Sequence, residues 1–140
     1  MSCILRVWGA DLAVDALAIA TPLTPYRLSR KGEHRHNSAR QFDRSSAHFS
    51  VSDLDLDEFE GQVGETIRFL EQHSAELKRI LAFPGVEGAV LDFGLAWRDV
   101  AAQVDRLPAA LITLAGNLGI GIELSHYSVS EPDSAEAAGA

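Results

Sequence analysis

SDLDLDEFEGQVGETIRFLEQHSAELKRILAFPG, Ser52 to Gly85, is the one long stretch with helical periodicity, and it decides what the rest of the chain can be. Leu56, Phe59, Val63, Ile67, Leu70, Leu77 and Leu81 recur by threes and fours, with Ser74 in the one polar gap. That spacing predicts a single amphipathic helix with the stripe against a core. Its start is marked: Asp55 can cap, Glu58 can bond back in a capping box, and Leu54 and Phe59 stand at staple positions. Asp57 and Glu58 near the start and Lys78 and Arg79 near the end suit the helix dipole, so helix initiation accounts for the acids from Asp53 to Glu60. A calcium loop would need a glycine turn and a spaced terminal Glu that this stretch lacks. Pro84 and Gly85 end it.

On both sides the period changes to two. In CILRVWG, Cys3, Leu5 and Val7 fall on one face and Ile4, Arg6 and Trp8 on the other, as in a strand with one face on a core, and Gly9 ends it. Asp11 to Thr21 places Val14, Leu17, Ala18 and Thr21 at helical spacing before Pro22. PYRLSR and AHFSV read as second and third strands, with Tyr26 and Leu28 on one side of the former and Arg27 and Ser29 on the other. AVLDFGLAW is a fourth, with Ala89, Leu91, Phe93, Leu95 and Trp97 inward. PAALITLAGNLG suits a last helix with Leu111, Leu114 and Leu118 inward and Gly119 as its stop. IGIELSHYSV is a fifth strand with Ile120, Ile122 and Leu124 inward and His126 continuing that face.

The order β-α-β-β-α-β-α-β predicts an α+β domain over residues 1–130: a ferredoxin-like βαββαβ unit extended by a helix and a strand, with a mostly antiparallel sheet and helices on one face. Residues 131–140, small and acidic, are expected to be a disordered tail. With 12 Lys and Arg against 20 Asp and Glu, the net charge of −8 argues against nucleic-acid or membrane-surface binding by the whole molecule. A single cysteine, Cys3, can form no internal disulfide, and Arg6, Asp11 and Asp15 interrupt the apolar N-terminus, so a soluble protein of a reducing cytoplasm is expected.

ILRVWGADL at the start, PYRLSRKGE after the first helix, a strand ending in FSVS and LGIGIELSHY near the end resemble the bacterial domain-of-unknown-function family 4279. The likeness covers roughly residues 3 to 130, rests on spaced short motifs without a catalytic signature, and implies the same α+β architecture. Some members look like neighbours of bacterial toxin systems, which implies a protein-binding, immunity-like role. Where the family tends to place an aromatic after its basic segment, this chain has Ser46, Ala47 and His48.

Several motifs dissolve on inspection. Asp92-Phe93-Gly94 lacks the other parts of a kinase. Gly116, Gly119 and Gly121 follow a helix and precede a strand, the reverse of a dinucleotide site. No G-x-S-x-G elbow exists, Cys3 lies on an inward strand face, and His34, His36 and His48 lack the further ligands that zinc requires, so neither a metal nor a cofactor is expected.

RKGEHRHNSARQFDR, Arg30 to Arg44, concentrates charge. Between Arg27 and Arg44 stand Arg27, Arg30, Lys31, Arg35, Arg40 and Arg44 against Glu33 and Asp43. A solvated mobile loop is the first expectation, and a contact for an anion or an acidic partner the second. The leading functional expectation is a cytoplasmic interaction module meeting a protein partner through this loop or the open sheet face. The alternative is a small-ligand protein or enzyme using Arg6, His48, Asp92 and Glu123 there. A third possibility, RNA stacking on Trp8 and Tyr127, lacks the basic and aromatic strand motif. Since Ile4, Trp8 and Tyr127 would share that open face, a second copy of the chain is expected to cover it, with Arg6 reaching an acid across a two-fold axis.

Overall fold

In the computed structural model, which describes residues 2–128, β1 (Cys3–Gly9) occupies the centre of a five-stranded sheet. Its neighbours are β3 (Ser45–Ser52) and β4 (Gly88–Trp97), with β2 (Arg27–Ser29) and β5 (Gly121–Ser128) at the edges, giving the order β2-β3-β1-β4-β5. Every pairing is antiparallel except β4–β5, and the intervening helix α4 (Ala109–Leu118) supplies the crossover that a parallel pair needs. The alternation in β1 is strict: Cys3, Leu5 and Val7 are buried while Ile4, Arg6 and Trp8 are half-buried. The inward residues meet Phe49 and Ala47 on one side and Phe93, Leu91 and Ala89 on the other. Helices α1 (Val14–Ala20), α2 (Phe59–Gln72), α3 (Ser74–Leu81) and α4 add Leu17, Leu70, Leu77 and Leu111 to that one cluster, so all four cover the same face. The α+β class and a mostly antiparallel open sheet therefore stand as expected.

The predicted long helix is two. It begins at Phe59, not at Asp55, and breaks at His73, whose φ of −109° and ψ of 20° interrupt the helical run. Half of the capping box still forms, the Asp55 N–H donating to Glu58 Oε1 at 3.1 Å, but in a turn ahead of the helix. The buried stripe is also rotated. Gln62 and Thr66 are fully buried and Ile80 nearly so, whereas Leu56, Ile67 and Leu81 are only partly covered. Apolar periodicity cannot find Gln62 and Thr66 because they are polar. Hydrogen bonds offset part of the cost of burying them: Gln62 Nε2 donates to the Gly94 and Asp55 carbonyls (2.9 and 3.1 Å), although its Oε1 has no partner among the described residues, and the Thr66 hydroxyl donates to the Gln62 carbonyl at 2.8 Å.

Other expectations need correction at the margins of the sheet. Trp97 is 64% exposed, because the helical cover ends at Leu95. Leu124 and His126 point to the core side but are exposed, since an edge strand has a neighbour on one side only. The second strand shrinks to three residues, and Tyr26, just outside it, lies with its ring edge-on to His48 on the open side rather than beside Leu28. At α4 the expected stop holds: Gly119 is left-handed (φ 77°) and the Ile120 N–H donates to the Ala115 carbonyl. The predicted acidic tail, 131–140, lies outside the described residues. No helix among the described residues is long and apolar enough to cross a membrane.

Candidate functional site

The uncovered face is built around Arg6, which β1 presents outward at the middle of the sheet, opposite His48 on β3 and Val90 on β4. Its guanidinium turns toward β5: Nη2 lies 2.9 Å from Glu123 Oε1 and Nη1 3.7 Å from Asp92 Oδ2. Asp92 and Glu123 are direct neighbours across the parallel β4–β5 pair, where two carboxylates would repel, and Arg6 relieves that repulsion. The Ser125 hydroxyl donates to Asp92 Oδ1 at 2.7 Å. Of the four residues expected to cluster here, Arg6, Asp92 and Glu123 are in ion-pair contact, one guanidinium against two carboxylates, so the trio carries one net negative charge.

His48 stands apart from those acids. Its Nε2 is 3.1 Å from Ser46 Oγ, a contact that strand alternation produces between residues two apart on one face. Burial, followed by the nearby Arg27 and Arg6 charges, pushes its pKa down to about 4. A ring so reluctant to take a proton is a poor base for serine, and among the described residues no carboxylate bonds its other nitrogen. The folded state disfavours the charged ring, so as pH falls below the ordinary value of 6.5 the unfolded chain gains the proton first. We therefore expect a stability contribution fully present above about pH 6.5 and lost progressively toward about pH 4. Full linkage would amount to about 3 kcal/mol, and screening at this partly open ring reduces it to about 1–2 kcal/mol. The check is an NMR titration of the His48 ring beside urea unfolding at pH 7 and 5 of wild type and His48→Gln; a His48 that titrates above pH 6 would refute it.

Trp8 lies over Gly88, its partner on β4, where any Cβ would meet the indole at 2.6 Å. Above it sits Arg44, whose guanidinium carbon is 4.5 Å from the ring centroid. Arg44 belongs to the basic segment, whose two arms are joined by an isolated bridge and a few backbone bonds. His34 pairs with Gln41, the Gly32 and Arg35 N–H groups donate to the Phe42 and Arg40 carbonyls (2.8 and 2.9 Å), and the Phe42 N–H donates to the Glu33 carbonyl. Arg30 is pinned by Asp15, with contacts of 2.9 and 2.6 Å that hold the Asp15 carboxyl below its ordinary pKa. The Lys31 N–H donates to Ser45 Oγ.

Between this hairpin and the sheet is a concavity of about 280 Å³. Arg6, Arg27, Ser29, Ser46 and His48 form its strand side. Arg35, Phe42, Asp43 and Arg44 form the hairpin side, with Arg35 lying over the Phe42 ring at 5.4 Å. Arg27, Arg35 and Arg44 make no ion pair among the described residues. Lys31 and Arg40 do not reach the concavity. On the far side of Arg6 a second hollow of about 240 Å³ lies between Tyr26 and Tyr127, over Ile4, Asp92 and Gly94. Of the residues singled out from sequence, the fold gathers Arg6, Arg27, His48, Arg35 and Arg44 at one hollow and Asp92 and Tyr127 at the other. Ser29, Ser46, Phe42 and Asp43 were missed: Ser29 shares its face with Arg27, and Ser46 with His48, by simple alternation, but the return of the hairpin onto the sheet has no signal in the pattern.

Burial pushes the Cys3 thiol up to about 12, partly offset by the Thr66 hydroxyl, whose oxygen lies 3.5 Å from its sulfur. The only ligand-like group of three among the described residues is Asp55, Asp57 and Glu58, exposed acids at the helix entry with oxygens within 4.8 Å; the histidines do not gather. Arg6 finds its acids within its own chain and Trp8 is stacked under Arg44, so neither requires a second copy to satisfy it. A family model described as "Domain of unknown function (DUF4279)" matches residues 1–129 of the chain. No curated protein and no solved structure matches it.

Proposed function

We propose for this chain, which belongs to that family of unknown function, the role of a small cytoplasmic binding domain, immunity-like and without catalysis, that receives an acidic segment of a protein partner between its basic hairpin and open sheet face. The observation that supports it is the gathering of Arg27, Arg35 and Arg44, without ion-pair partners among the described residues, at one concavity of a chain whose net charge is −8. Unpaired guanidiniums held close together repel one another, and an anionic partner relieves that repulsion. Residues 1–130 act as one domain. Its first four strands, in the order β2-β3-β1-β4 and antiparallel throughout, support a ferredoxin-like unit to which α4 and β5 are added at the β4 edge.

The test is association of the full chain with an immobilised glutamate-rich decapeptide at several salt concentrations. The triple variant Arg27→Ser, Arg35→Ser, Arg44→Ser should associate more slowly, by about 10-fold at low salt, with a flatter salt dependence. Arg40→Ser, outside the concavity, should behave as wild type. Equal kinetics for the triple variant and wild type would remove the hairpin from the binding surface.

A further inference from the structure

We propose that the concavity between the hairpin and the open face is a receptor site for a phosphomonoester, its phosphoryl group gripped by Arg27, Arg35 and Arg44. The inference rests on the concavity being the binding surface and adds the chemistry of what enters it. A single guanidinium fork already satisfies both oxygens of a carboxylate. Three such forks facing one hollow exceed what a carboxylate can accept, whereas a phosphoryl group offers three terminal oxygens and a charge near −2.

The charge points the same way. Arg6 is taken by Glu123 and Asp92, a trio with one net negative charge beside the hollow, and the other charged groups that line the hollow itself are three guanidiniums against the single carboxylate of Asp43, a surplus of two positive charges. A monoester dianion cancels both; a carboxylate leaves one. His48 and Ser46, beside the arginines on the strand side, offer neutral partners that add no competing charge at neutral pH. Arg35 and Arg44 lie over the Phe42 and Trp8 rings, 5.4 and 4.5 Å from the centroids, contacts that restrain the two guanidiniums before a ligand arrives and lower the ordering entropy that binding would otherwise cost. The donor of the phosphoryl group is either a phosphorylated side chain of the protein partner or a free small phosphomonoester.

The experiment uses the full chain and three fluorescent nonapeptides that differ at one central residue: phosphoserine, glutamate or serine. The phosphoserine peptide should bind about 10-fold or more tightly than the glutamate peptide, and the triple arginine variant should weaken it by about 30-fold or more. Arg40→Ser should have no effect, and circular dichroism should show each variant folded. Competition with inorganic phosphate and free phosphoserine separates the sources. Displacement by free phosphoserine at concentrations near those of the peptide assigns the site to small phosphomonoesters, and displacement only at far higher concentrations assigns it to a phosphorylated segment. Equal affinity for the phosphoserine and glutamate peptides would overturn the phosphoryl assignment while leaving an acidic-partner surface standing. Undiminished phosphoserine binding by the triple variant, absence of binding to any of the three, or tighter binding of single-stranded RNA, whose diesters carry one charge each, would overturn it as well.

Discussion

Gly9→Ala is expected to destabilise the protein by more than ~3 kcal/mol, because the added methyl has nowhere to go. A Cβ at Gly9 would run into the carbonyl of Gly85, a backbone group and not a side chain that could swing aside. Neither partner can retreat. Gly9 closes β1 opposite Ser45, and the Glu87 N–H donates to the Trp8 carbonyl at 2.8 Å, tying the segment after Gly85 to the strand end. Gly85 itself has φ 92° and sits so close to Asp11 and Leu12 that a Cβ there would meet their backbone at 2.8 and 2.9 Å. The two glycines thus form one close crossing between the end of β1 and the turn that leads into β4. Urea denaturation followed by circular dichroism measures the loss; a change below 1 kcal/mol, an order-of-magnitude threshold for an ordinary substitution, would show that the crossing yields.

Leu70→Ala should cost roughly 2 to 5 kcal/mol, and Ile67→Ala distinctly less than Leu70→Ala. The periodic stripe treats these two residues as equals. In the folded chain Leu70 has no exposed surface and belongs to the central cluster, while Ile67 packs against its margin. Removing three carbons from Leu70 loses their transfer energy and leaves a void that the surrounding strands cannot fill. Removing the same number from Ile67 opens a site that water already reaches. Chemical denaturation of both variants decides the matter, and an Ile67→Ala loss equal to or greater than that of Leu70→Ala would mean that α2 has a different rotation about its axis.

That rotation marks where local sequence stops being informative. Alternation in β1, β3 and β4 already assigned Arg6, His48 and Asp92 to the face opposite the core, because a side chain in a strand has only two directions to take. The stop at Gly119 and the family membership were equally legible from residues and short motifs. Three features were decided by the tertiary structure alone. Gln62 enters the core where the Gly94 carbonyl, 32 residues away in the chain, is there to accept from it, and Thr66, bonded within its own helix, packs against the Cys3 sulfur, 63 residues away. Arg6 settles on Glu123, 117 residues distant, only because the α4 crossover lays β5 beside β4. The arginine-lined concavity exists because the hairpin returns over Trp8, and Trp8 can occupy its place beneath Arg44 only because β4 puts a glycine opposite it, where any Cβ would meet the indole. Composition announced a basic segment; which of its arginines converge, and on what, depends on contacts between elements far apart in the chain, which no local periodicity encodes.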